Sequence, residues 1–128
     1  MGKTPLMIAA EEGSFEVINL IMPLSDINEK DTKNKNALHY ATILGNEKCV
    51  NSILSSPEID INAQDSHGWT SLHYAVQYGY VRIVNQFLQN ERININVKDL
   101  DGNTPISLAM SEKRKSILSM LKDFVNVS

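Results

Sequence analysis

A pattern of about 34 residues recurs along this chain, and it restricts the fold more than any other property of the sequence. Leu6, Leu38, Leu72 and Ile106 are spaced by 32, 34 and 34 residues, while Asp31, Asp65 and Asp99, and likewise Asn28, Asn62 and Asn96, recur every 34. Segments 36–62 and 70–96 align almost residue for residue, and 4–28 follows them more loosely. A unit this short cannot bury its own apolar face, so each copy must be covered by its neighbours in a stack. Such a stack exposes a long surface, which points to binding rather than catalysis.

Each slot of the repeat has a physical role. Thr4, Asn36, Thr70 and Thr104 carry side-chain oxygens where a helix would begin, and such an oxygen accepts from an unpaired amide of the first turn. Pro5 and Pro105 follow at the one helical position where a missing N–H is harmless. Leu72, Ala75 and Val76 then give the i, i+3, i+4 stripe of a helix of about two turns. Gly13, Gly45 and Gly79 end that first helix in a left-handed residue. A second helix is expected to bury Val17, Ile18, Ile21 and Met22 in the first copy, Cys49, Val50, Ile53 and Leu54 in the next, and Ile83, Val84, Phe87 and Leu88 in the third. Asp65-Ser66-His67-Gly68 and Asp99-Leu100-Asp101-Gly102 are turn formers, so hairpin-like fingers are expected to project there.

With Thr4-Pro5-Leu6, Leu38-His39-Tyr40-Ala41, Leu72-His73-Tyr74-Ala75 and Thr104-Pro105 on the page, the chain resembles the ankyrin-repeat family, whose hallmark is T-P-L-H-x-A. The resemblance implies an all-α solenoid of helix-turn-helix units with β-hairpin-like loops. It spans one domain, residues 1–128, with repeats at about 2–30, 31–64, 65–98 and 99–126. Two departures stand out. The loop before Asn28 is two residues shorter than its counterparts, with Pro23 expected to tighten it, and Lys113 replaces the turn glycine in the last repeat, so an altered turn is expected there. The polar run 111–116 and Lys122-Asp123 read as a C-terminal cap. The first copy carries Ile8, Val17 and Leu20 as an internal repeat would, and on that ground is expected to continue into a longer array.

Composition narrows the function. The net charge is −3, with 5 Lys+Arg against 9 Asp+Glu in residues 1–64 and 7 against 6 in 65–128, so neither half is a polybasic nucleic-acid or membrane surface. No apolar run approaches the roughly 20 residues of a membrane span. Cys49 is the only cysteine, which fits a reducing compartment, cytoplasmic or nuclear, and its slot is that of a small core hydrophobe. A monomer needing no cofactor and no metal is expected. His39 and His73 fall in one slot, roughly 10 Å apart by helix spacing, too far to share a metal. By the resemblance they support the fold near the N-cap. Lys113-Arg114-Lys115 is read as a solvated part of the cap.

The free slots are the fingertips and the ends of the first helices, which line the concave face in ankyrin relatives. Trp69, the only tryptophan, is taken as the centre of a protein-binding patch flanked by Ile43, Leu44, Tyr78 and Leu100. His67, Lys33, Lys35 and Asp101 lie at or beside the fingertips, and Glu11 and Glu12 favour a basic stretch of the partner at one end. The competing reading folds Trp69 over its own hairpin. If the patch reading holds, Trp69→Ala leaves melting nearly unchanged and lowers affinity by about 2 kcal/mol or more. The leading function is therefore a non-catalytic protein-interaction module. The alternative is a targeting or regulatory arm of a larger enzyme or effector. The setting of Asn28, Asn62 and Asn96, each after an isoleucine, also resembles sites that asparaginyl hydroxylases modify in ankyrin repeats; the simpler role is to bond the turn.

Overall fold

Four N-caps start four short helices. In the computed structural model, which describes residues 2–127, the side chains of Thr4, Asn36, Thr70 and Thr104 accept from the amides of Met7, His39, His73 and Ser107. Each bond satisfies one of the four orphan donors of a helix start and stabilises it by about 1 kcal/mol. The helices they begin are α1 (Pro5–Glu12), α3 (Ala37–Leu44), α5 (Ser71–Tyr78) and α7 (Pro105–Ser111). Each is followed by an antiparallel partner: α2 (Phe15–Ile21), α4 (Glu47–Leu54), α6 (Val81–Leu88) and α8 (Lys115–Val127). Pro23 lies in a 3-10 turn over Met22–Leu24 that shortens the exit from α2.

Helices of two turns are marginal alone, and packing supplies what propensity does not. First helices pack on first helices, and second helices on second helices, in two parallel rows. Leu6, Leu38 and Leu72 are fully buried between them, with Ile18, Ile53, Phe87 and Leu121 closing the core. Ile106, in the same slot as those leucines, is only half-buried.

The link between helices is the same in all four units. The amides of Ser14, Asn46, Tyr80 and Arg114 bond the carbonyls of Ala9, Ala41, Ala75 and Ala109 at 3.0, 3.3, 2.9 and 2.9 Å. This six-residue closure requires a left-handed residue just before it. Gly79 provides it at φ 73°, and a Cβ there would also stand 2.9 Å from the guanidinium of Arg114 in the next repeat. Lys113 takes the same role at φ 56°. The expected alteration of the last turn is therefore corrected: the turn is conserved with a lysine in it, at the cost of a left-handed non-glycine.

The fingers hold their shape without strands among the described residues. Oδ1 of Asp31, Asp65 and Asp99 accepts from the amides two and four residues on, at distances of 2.8–3.0 Å. Adjacent fingers meet through one backbone bond each, Ser66 N–H to Lys33 carbonyl and Leu100 N–H to His67 carbonyl. One rung per pair is too little for a ladder. Gly68 is where the next finger comes closest: its Cβ would lie 2.7 Å from the Leu100 amide, which excludes any side chain.

The two ends differ. Val17 is 42% exposed, whereas Cys49, Ile83 and Ile117 in the same slot of later repeats are 0–1% exposed. Ile8 lies beside Val17 on that open apolar face, and Leu20 and Leu24 of the same repeat are exposed as well. At the other end Glu112, Lys113, Lys115, Lys122 and Asp123 are exposed to solvent, with Met110 and Val125 among them.

Candidate functional site

Three sets of side chains tie each repeat to the next, and they decide which polar groups are left for other work. Asn36 N–H donates to His39 Nδ1, so the ring proton sits on Nε2 and is given to the carbonyl of Trp69 at 2.9 Å. His73 does the same with Thr70 N–H and the carbonyl of Asn103, also at 2.9 Å. Burial drives both histidines below the usual imidazole pKa, and the carbonyl bonds offset this only in part. Both nitrogens of each ring are engaged in the fold. Asn28 and Asn62 form the second set: each amide donates to a carbonyl of the next loop, Glu58 or Arg92, and accepts from the amide of Asp60 or Asn94. The turn-bonding role expected for these asparagines thus operates between repeats. In the third set, Tyr80 and Arg114 reach back to the carbonyls of Ile43 and Gln77.

The second carboxylate oxygen of each finger aspartate has its own donor. Tyr40 O–H donates to Asp31, and Tyr74 O–H to Asp65. Burial pushes the carboxyls of Asp31 and Asp65 up, but the tyrosine hydroxyls and backbone amides together outweigh it and hold both below the ordinary value of 3.8. Both tyrosines are pushed well above the ordinary phenol range, by burial first and by these aspartates second. In the last repeat the tyrosine slot is Leu108, which cannot donate. There the indole N–H of Trp69 takes over, bonding Asp99 Oδ2 at 2.9 Å.

Trp69 is therefore half-buried and bonded, its ring 4.9 Å from that of Tyr74 and 5.9 Å from that of His73. It leans toward the next finger rather than over its own hairpin. One side of it remains on a groove of about 630 Å³, lined by His67, Trp69, Tyr74, Gln77, Tyr78, Leu100 and Asp101. Five of the expected binding residues, Trp69, Tyr78, Leu100, His67 and Asp101, meet in this trough between the fingers and the end of α5. Leu100 is 77% exposed and Tyr78 47%.

The other expected residues lie elsewhere. Ile43 is half-buried and its carbonyl holds Tyr80, while Leu44 lies over the α1–α2 turn, within 3.0 Å of where a Cβ on Gly13 would be. Neither lines the Trp69 groove. Lys33, Lys35 and Glu11 line a smaller hollow of about 220 Å³ with Lys3, Asp31, Thr32 and Tyr40. Glu11 is paired there with Lys3 at 2.7 Å, and Lys35 is 3.5 Å from Asp65 with 13% of its side chain exposed. Glu12 sits on the open apolar face beside Pro5, Ile8 and Val17.

Tyr74 is the groove residue that sequence reasoning passed over, because it looked like a repeat-consensus position. Its signal was present: Tyr40 and Tyr74 each stand nine residues after a finger aspartate. Cys49 is fully buried, and burial followed by the field of Glu16 pushes its thiol up, as suits an inert core residue. No helix among the described residues is long and apolar enough to cross a membrane.

Paired helices in two rows, joined by left-handed turns and bridged by side chains from unit to unit, define a helical-repeat solenoid. Family models agree: one described as ankyrin repeats (3 copies) matches residues 1–65, and one described as ankyrin repeats (many copies) matches 56–109. The chain belongs to the ankyrin-repeat family, whose members are generally protein–protein interaction modules. Among curated proteins, none matches the chain closely.

Proposed function

We propose that this chain is a non-catalytic protein-interaction module that takes its partner along the trough formed by the fingers and the first-helix row. One observation carries the reading: the Trp69–Tyr78–Leu100 groove gathers large, partly exposed apolar side chains from two successive repeats in one concavity. Aromatic and aliphatic side chains gathered in a concavity favour a hot spot. The partner is read as a protein rather than a nucleic acid, because the groove has no basic lining. Tyr78→Ala and Leu100→Ala should each weaken partner capture by at least tenfold, Leu100→Ala with melting unchanged and Tyr78→Ala with a small loss from its contacts to Tyr74 and Tyr80, and Asn85→Ala, exposed on α6, is the neutral control. Equal capture by all three variants would remove the trough as the binding face.

A second reading has its own observation. On the open face, Val17 and Ile8 occupy slots that are buried in the later repeats, by Cys49, Ile83 and Ile117 and by Tyr40, Tyr74 and Leu108. It supports a role as the interaction arm of a larger protein, with a further helix pair stacked on that face. The intact mass of the native protein tests it: a mass matching these residues alone goes against the arm, a larger one supports it.

A further inference from the structure

The trough has a chemistry more specific than apolarity. Its lining combines the rings of Trp69, Tyr74 and Tyr78 with Leu100 and one carboxylate, Asp101; no lysine or arginine takes part. Gln77, also in the lining, donates to Glu112 at 3.2 Å, which places a second carboxylate just beyond the lip. Gln77 and Tyr78 are the last two residues of α5.

Two cations of the chain already lie near this region. Lys35 Nζ lies 5.8 Å from the Tyr74 ring centroid while paired with Asp65, and the Arg114 guanidinium donates to the Gln77 carbonyl at 2.7 Å. The outer ring, Tyr78, lies 6.4 Å from Tyr74 and 5.6 Å from Tyr80 and is still 47% exposed, with no such cation on it among the described residues. An apolar side chain entering here would cover Asp101 without pairing it, and an acidic one would be repelled. An arginine satisfies every part of the lining. Its planar guanidinium stacks on an aromatic face and pairs with a carboxylate, and its aliphatic stem covers Leu100.

We propose that the groove between Tyr78, Leu100 and Asp101 is a subsite for an arginine side chain of the protein partner. This rests on the trough being the binding face, and the test below separates the two ideas. The labelled full chain is titrated, at low salt and up to millimolar concentration, with three acetylated pentapeptides differing only at the centre: arginine, citrulline as its neutral isostere, and norleucine.

The expected result is movement of the Trp69 indole N–H and of the Tyr78 and Asp101 amides. The arginine peptide should bind about five- to tenfold tighter than the citrulline one, a gap that narrows with added salt. Asp101→Asn should close that gap and leave citrulline binding as it was. Equal binding of arginine and citrulline, or tightest binding of norleucine at the same resonances, would overturn the arginine subsite while leaving the trough as the binding face. Absence of any shift with the arginine peptide would overturn the subsite too, and capture by Tyr78→Ala then decides separately whether the trough binds at all.

Discussion

The indole N–H of Trp69 donates to Asp99 Oδ2 at 2.9 Å across 30 residues of sequence, and so fastens one finger to the next. The tryptophan is both a strut of the fold and a wall of the groove. Trp69→Phe keeps the ring and loses the donor, and should cost about 0.5–1.5 kcal/mol in chemical denaturation. Trp69→Ala should lower both melting and affinity. The clean separation expected from sequence for that variant passes to Leu100→Ala, whose side chain is 77% exposed and has less to do with stability.

The histidine bridges should matter only where a following finger exists. His39→Ala and His73→Ala each strip a buried bond to the next finger, leave the amide of Asn36 or Thr70 without its ring acceptor and open a cavity, for a loss of about 2–4 kcal/mol. Ser107, in the same slot of the last repeat, accepts only from its own N-cap amide and reaches no further finger. Ser107→Ala should cost about 1 kcal/mol or less. Urea denaturation of the three variants measures the contrast.

Acid should destabilise the chain in two stages. His39 and His73 have folded pKa values below the ordinary 6.5, first through burial. The unfolded chain therefore binds protons more readily, and their contribution is complete above about pH 6.5 and is lost as pH falls from there through the folded values. Asp31 and Asp65 are held below 3.8, the donors of Tyr40 and Tyr74 and the finger amides overriding burial, so their contribution is present above about pH 3.8 and is lost as pH falls through their folded values. Melting temperature against pH should be level above about 6.5, decline below it, and decline again below about 3.8. His73→Gln should flatten the first decline.

Two glycine-slot substitutions should move stability in opposite directions. Gly79→Ala strains a φ of 73° and drives a methyl against the Arg114 guanidinium, costing about 1–2 kcal/mol or more. Lys113→Gly relieves the left-handed lysine at φ 56° and should gain about 0.5–1 kcal/mol. Thermal melts of the pair read the difference directly.

One core position is less favourable than it could be. Thr42 is fully buried and its hydroxyl has no hydrogen-bond partner. The same slot holds Val76 in the following repeat, also buried. Thr42→Val keeps the shape, removes the unpaired oxygen and should raise stability by about 1 kcal/mol.

Period and caps made the stack legible in sequence. A 34-residue recurrence of Leu, Ala, Gly and Asp leaves one way to bury the stripes, and Thr4, Asn36, Thr70 and Thr104 cap the helices they were expected to cap. Less legible was anything that depends on the neighbouring repeat. Trp69 looked free because its partner, Asp99, is a finger away, and Lys35 looked free because Asp65 is. Lys113 looked disruptive because its left-handed geometry is a property of the turn and not of the residue. Ile43 and Leu44 were placed beside Trp69 by slot, but the stack sets them one repeat back, against Tyr80 and the α1–α2 turn.

The central claim is that repeats shelter one another through side chains while the finger-side trough stays open for a partner. Hydrogen–deuterium exchange of the chain, alone and with the protein partner captured by it, tests this most directly. Slowed exchange on binding is expected in segments 65–69 and 99–103 and at the end of α5, with α4 and α6 unchanged. Protection confined to α2, α4 and α6, with the fingers exchanging as before, would contradict the account.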